Sequence, residues 1–134
     1  LKLLKSALPR VVIAGFQPAA LEEFRARVAA AGLERAVSIE GYLADEEVRA
    51  LYRHAAGYVF PSKREGFGLP LVEAMASGTA VLCADRSSMP EIAGGAALTF
   101  DPGDPSSIAE AIRRLLGDEA LRRRLAAEGL ARAK

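Results

Sequence analysis

Tryptophan is absent from this chain, and cysteine and histidine occur once each. With Cys83 alone, no internal disulfide can form. The thiol sits in the apolar run Ala80-Val81-Leu82-Cys83-Ala84, so a buried, inert residue is expected rather than a catalytic nucleophile. His54 lies near the end of a helical pattern without a Cys, Asp or Glu cluster, which leaves no metal-ligand spacing and points to a surface or helix-end role. No excess of either charge exists: 18 Lys and Arg face 17 Asp and Glu. A nucleic-acid partner, which calls for a basic excess, is therefore not expected. No apolar run approaches the ~20 residues of a membrane-spanning helix. A reducing, cytoplasmic setting is the expectation.

What is present suits one α/β domain. The 134 residues are 51% hydrophobic, enough for a core at a typical domain length of ~100–150 residues. Five short β-rich runs read as strands: Val11 to Ala14, Val37 to Ile39, Tyr58 to Phe60, Ala80 to Cys83 and Ala97 to Phe100. They alternate little, as strands buried on both faces do. Helical spacing falls between and after them, at Leu21/Phe24/Val28/Ala31, Val48/Leu51/Tyr52/Ala55 and Ile108/Ile112/Leu115/Leu116. This alternation predicts βαβ units and a Rossmann-like, doubly wound parallel sheet with flanking helices. Gly32, Gly78 and Gly117 are expected to end helices. Asp104-Pro105 should start one, and Asp118 should cap the last.

The richest stretch is Glu65-Gly66-Phe67-Gly68-Leu69-Pro70-Leu71-Val72-Glu73. Pro61 stops the third strand, so the loop leaves the carboxyl edge of the sheet, where ligands of such folds bind. Leu69-Pro70 opens a helix whose free N–H groups and dipole favour an anion. Gly66 and Gly68 let a ligand approach the backbone. Glu65 and Glu73 flank this cradle as acceptors for sugar hydroxyls. Against this, Glu73 is equally at home as a solvated first-turn carboxylate. A dinucleotide site, with Gly66-x-Gly68 and Asp85, fails because Leu71 replaces the third glycine and the loop is too long for a tight turn. A glycoside hydrolase using both glutamates fits poorly with phosphate-ready amides at a parallel-sheet edge.

The segment Pro61 to Gly78 resembles the signature of the retaining group 1 glycosyltransferases, the glycogen-synthase and sucrose-synthase relatives of the GT-B fold. The likeness extends through Gly41-Tyr42-Leu43, Pro90-Glu91-Ile92, Gly94 and Asp101-Pro102-Gly103-Asp104. It implies that residues 1–134 are a C-terminal, donor-binding domain that transfers sugar from a nucleotide-diphosphate sugar, with no other cofactor and no obligatory metal. By the same resemblance Glu65 is the catalytic residue that contacts the donor sugar. Gly66, Phe67, Gly68 and Leu69 hold sugar and diphosphate. Glu73 accepts the ribose hydroxyls, Leu43 packs on the base beside Tyr42, and Gly15 belongs to a turn lining the pocket.

The resemblance also marks what is not matched. The family's first βα unit, with an Arg and a Lys on the diphosphate, has no counterpart in Leu1 to Arg10, and Lys2 and Lys5 suit only its trailing helix. A chain beginning within a helix reads as a domain truncated at its N-terminus, lacking an N-terminal acceptor domain. Alone, it is expected to bind donor weakly and not to turn over. The acceptor, whether glycan, lipid or small molecule, is unassigned. Arg113-Arg114 and Arg122-Arg123-Arg124 read as wet helix faces; peripheral contact with the inner face of an anionic membrane is the alternative. A non-catalytic nucleotide-sugar binding module is the alternative to an enzyme.

Overall fold

The computed structural model describes residue 1, residues 3–4 and residues 9–134. The expected helical roles of Lys2 and Lys5 lie outside the described residues. Elements follow in the order β1 (Val11–Ile13), α1 (Pro18–Ala30), β2 (Val37–Ile39), α2 (Asp45–His54), β3 (Tyr58–Phe60), α3 (Leu69–Ala76), β4 (Val81–Ala84), α4 (Met89–Ala93), β5 (Ala97–Phe100), α5 (Pro105–Gly117) and α6 (Glu119–Arg132). The chain divides into two compact units, Leu1–Val48 and Arg49–Lys134.

In the first unit β1 and β2 pair in parallel, Val11 opposite Val37 and Ile13 opposite Ile39. Both strands alternate in burial, and Val37 and Ile39 point into the unit's interior while Ser38 is half-buried. That departs from the expected two-sided burial. Helix α1 closes on β2 through Arg25, whose Nη2 donates to the Ile39 carbonyl at 3.3 Å. Phe16 and Phe24 meet at 4.2 Å between ring centroids.

The second unit holds a parallel sheet of order β3-β4-β5. Tyr58 pairs with Val81, and Val81 with Ala97. Central β4 is buried along its whole length, as a strand flanked by two others and covered by helices must be. Its hydrogen-bonded span starts at Val81 and reaches Ala84, one residue later than the apolar run suggests. The core joins Leu82, Phe100, Leu115, Leu121 and Leu125. Burying side chains of this size contributes ~1.5–3 kcal/mol each. Cys83 is wholly buried here, and burial pushes its thiol up to about 11. It is a packing residue, as expected.

The caps follow chemistry. Asp104 accepts from the Ser106 N–H at 2.8 Å and Asp118 from the Leu121 N–H at 2.9 Å, each filling an orphan donor at a helix start. Gly117 does not act as a left-handed stop. It is the last residue of α5, and extended Asp118 ends one helix and starts the next. Nor does the arginine run merely face water. Arg122 donates to the carbonyls of Leu115 and Leu116 at 3.2 and 3.4 Å, closing the end of α5. Arg123 and Arg124 pair with Glu119 and Glu128 on the exposed face. No helix among the described residues is long and apolar enough to cross a membrane.

Candidate functional site

Strand β3 ends at Phe60, and after eight intervening residues α3 begins at Leu69. The loop between them is ordered by short hydrogen bonds. Ser62 Oγ donates to the Arg64 carbonyl at 3.0 Å. Ser87 Oγ donates to the Glu65 carbonyl at 2.7 Å, and Ser88 Oγ to the Gly66 carbonyl at 2.8 Å. Gly68 takes the left-handed conformation, φ 69°, at the N-cap of α3. A side chain there is disfavoured twice, by φ and by the buried Met89, whose methyl lies 2.6 Å from the position of a Cβ.

The free donors lie slightly upstream of where the sequence places them. Pro70 has no N–H, and the Leu71 N–H is taken by the Gly68 carbonyl at 2.9 Å. The N–H groups of Gly66, Phe67, Gly68 and Leu69 have no hydrogen-bond partner among the described residues. The anion-ready amides therefore belong to the loop and the first helical residue, with the α3 dipole behind them. Phe67 and Leu69 expose 63% and 61% of their surface, large apolar side chains standing open beside those amides.

The two glutamates flank this loop. Glu65 is half-buried at its start, and Glu73 is exposed one turn into α3. Both act on one neighbour: burial first, then the adjacent Tyr52 and the charges of Glu73 and Glu65, raise the Tyr58 phenol far above its usual range. Tyr52 is raised by burial and by Glu73. The Tyr52 and Tyr58 rings meet edge-on at 5.1 Å. Thr79 Oγ1 fixes this pair from below by donating to the Tyr52 carbonyl at 2.6 Å.

In the first unit the Gly15 N–H donates to the Gly41 carbonyl at 2.9 Å. Gly15 thus lies beside the segment carrying Tyr42 and Leu43, just past the carboxyl ends of β1 and β2. Tyr42 is 88% exposed and Leu43 half-buried. The structure therefore gathers the predicted residues into two groups, one in each unit. Ser87, Ser88 and Met89 were missed, because α4 is only five residues long and carries no helical period. Their one signal is Ser-Ser ahead of Pro90-Glu91 just after the fourth strand. Glu91, for which the sequence allows a helix-start or a pocket-shaping role, is exposed in the first turn of α4. The dinucleotide reading fails in the structure too, since Leu71 is a fully buried core residue. Among the described residues, no three His, Cys, Asp or Glu side chains group as metal ligands.

Comparison with known proteins gives this geometry a lineage. The chain is 45% identical over 94 residues to an O-antigen chain mannosyltransferase of Escherichia coli, covering 70% of this chain and 25% of that protein. It is 39% identical over 129 residues to a serotype-specific mannosyltransferase of the same organism, covering 96% of this chain and 16% of the relative. It thus spans about a quarter or less of these curated relatives. The crystallised C-terminal domain of a group 1 family glycosyl transferase from Francisella tularensis is 33% identical, with a TM-score of 0.79 over 98% of this chain and 71% of that one. The family model of the glycosyl transferases group 1 matches residues 2–132, and the chain belongs to that family.

Proposed function

We propose that this chain is the donor-binding part of a retaining glycosyltransferase that takes a mannosyl group from a nucleotide-diphosphate sugar. One observation supports this most: four amides, Gly66 to Leu69, without a hydrogen-bond partner among the described residues, stand at the head of α3 between two carboxylates. The diphosphate accepts from those amides. Glu65 orients the sugar, and Glu73 accepts from the ribose hydroxyls. When the bond from the anomeric carbon to phosphate breaks, positive charge grows on the sugar and negative charge on the departing diphosphate. Fixed amides and the helix start stabilise that leaving group without reorganising, the largest single effect open to such a site. The acceptor attacks from the same face, so configuration is retained. The mannosyl assignment rests on the relatives named above, both mannosyltransferases. A wholly buried, protonated Cys83 fits the cytoplasmic placement.

Titration of the 134-residue chain with GDP-mannose, UDP-glucose and ADP-glucose, followed by amide NMR, tests the reading. Shifts centred on Gly66 to Glu73, with GDP-mannose or another mannosyl donor favoured, are expected. Shifts that cluster elsewhere for every donor refute the placement. A non-catalytic binding module gives the same titration. It differs in showing no transfer when the chain sits in its longer protein.

A further inference from the structure

The serines ahead of α4 have no role in the donor reading so far, yet they make the tightest contacts to its loop. Ser87 Oγ reaches the Glu65 carbonyl at 2.7 Å, while Ser88 Oγ reaches the Gly66 carbonyl at 2.8 Å and the Glu65 carbonyl at 3.3 Å. Ser87 does so at φ 59°, and among the described residues it is the one non-glycine with a positive φ. A serine held in that region is strained, and the strain persists only where its surroundings impose it. Behind the pair, Met89 is fully buried and its methyl fills the space beside Gly68. At the far end of α4, Arg132 donates from Nε to the Ile92 carbonyl at 3.0 Å and from Nη2 to the Glu91 carbonyl at 2.8 Å.

We propose that Ser87 and Ser88 are positioning residues that turn the amides of Gly66 and Phe67 outward for the donor's diphosphate, an inference that rests on the donor-site reading above. The peptide unit supplies the reason. It is planar and trans, so its C=O and N–H point in opposite directions. Holding the Glu65 carbonyl toward α4 aims the Gly66 N–H away from it. Holding the Gly66 carbonyl does the same for the Phe67 N–H. The serines touch no donor atom. They fix the sign of two peptide dipoles, and α4, anchored by Arg132, is the rigid body they work from. Without them the two glycines flanking Phe67 leave these peptides free to flip.

The variant S87G/S88A removes both hydroxyls and also relieves the strained φ, so a purely structural role and a positioning role predict opposite results. With positioning, the 13C carbonyl shifts of Glu65 and Gly66 move in the ligand-free protein. Relaxation at Gly66 and Phe67 then reports added motion, and affinity for the mannosyl or other donor that titrates falls about 10-fold. The melting temperature stays within about 4 °C of the parent or rises, since a glycine suits φ 59°. Ser88→Thr, which keeps a hydroxyl, restores affinity to a Ser88→Ala background. Unmoved carbonyl shifts overturn the proposal, as does unchanged affinity alongside moved shifts. If the parent chain takes none of GDP-mannose, UDP-glucose and ADP-glucose, the donor reading fails by itself. The carbonyl shifts and relaxation of the ligand-free variant then decide whether the serines hold the loop.

Discussion

Met89 occupies the space that any side chain on residue 68 would need: its Cε lies 2.6 Å and its Sδ 3.2 Å from a Cβ placed on Gly68. Gly68→Ala therefore combines a left-handed backbone penalty with a clash, and is expected to cost about 1–3 kcal/mol. Gly78→Ala serves as the control. It has a similar φ of 74° but nothing within 4 Å, so only the backbone penalty of about 1 kcal/mol applies. Urea denaturation of both variants separates the two contributions. Equal losses would remove Met89 from the explanation.

Neutralising the flanking acids should weaken donor binding while leaving the fold alone. Glu65→Gln and Glu73→Gln each remove charge-assisted hydrogen bonds to hydroxyls, and calorimetry should show affinity falling about 10- to 100-fold. Glu73 is exposed and Glu65 half-buried, so unfolding midpoints should shift little. Unchanged affinity in both variants would take the carboxylates out of the site.

Arg132 closes α4 through two carbonyl contacts. Arg132→Ala is expected to destabilise the second unit by about 1–2 kcal/mol. Arg132→Lys should recover less than half of this, because an ammonium lacks the planar fork that reaches two acceptors at once. The readout is a lowered urea midpoint at unchanged slope.

Alkaline pH should unfold the protein earlier than its carboxylates alone would suggest. The folded Cys83 keeps its proton until about 11 against an ordinary 9.0. Above pH 9 the unfolded chain therefore binds fewer protons than the folded one, and stability falls as pH rises. This contribution is intact below pH 9 and lost on the way to pH 11, in total about 2–3 kcal/mol. Tyr52 and Tyr58, raised from 10.0, add to the loss above pH 10. In Cys83→Ala the slope of stability against pH between 9 and 10 should flatten, and a slope equal to the parent's would refute the assignment.

The elements announce themselves in the sequence because their causes are local. β-rich runs between helical periods, Asp104-Pro105 and Asp118 each carry their own signal, and the structure places each within one residue of where the sequence suggests. The glutamates and the glycine loop are legible for the same reason, since one stretch holds them all. What the sequence hides are partners distant along the chain. Arg122 reads as a wet arginine until α5 presents open carbonyls to it, and nothing in the sequence singles out Arg132 as the residue that meets α4. Ser87 and Ser88 look like surface polar residues until the loop 22 positions upstream turns its carbonyls toward them. Strand pairing is hidden too: alternation predicts parallel strands, yet cannot say that hydrogen bonding falls into a pair and a triplet.

Helix α3 has little freedom to move. Leu71, Ala74 and Met75 are sealed in the interior, and Gly129 of α6 brings its backbone so near that an added Cβ would sit 3.2 Å from Met75 Cγ. This packing sets α3 as a rod in the second unit. Any adjustment at this end of the second unit falls to the short stretch between Pro61 and Gly68, while the rod behind it serves as an anvil.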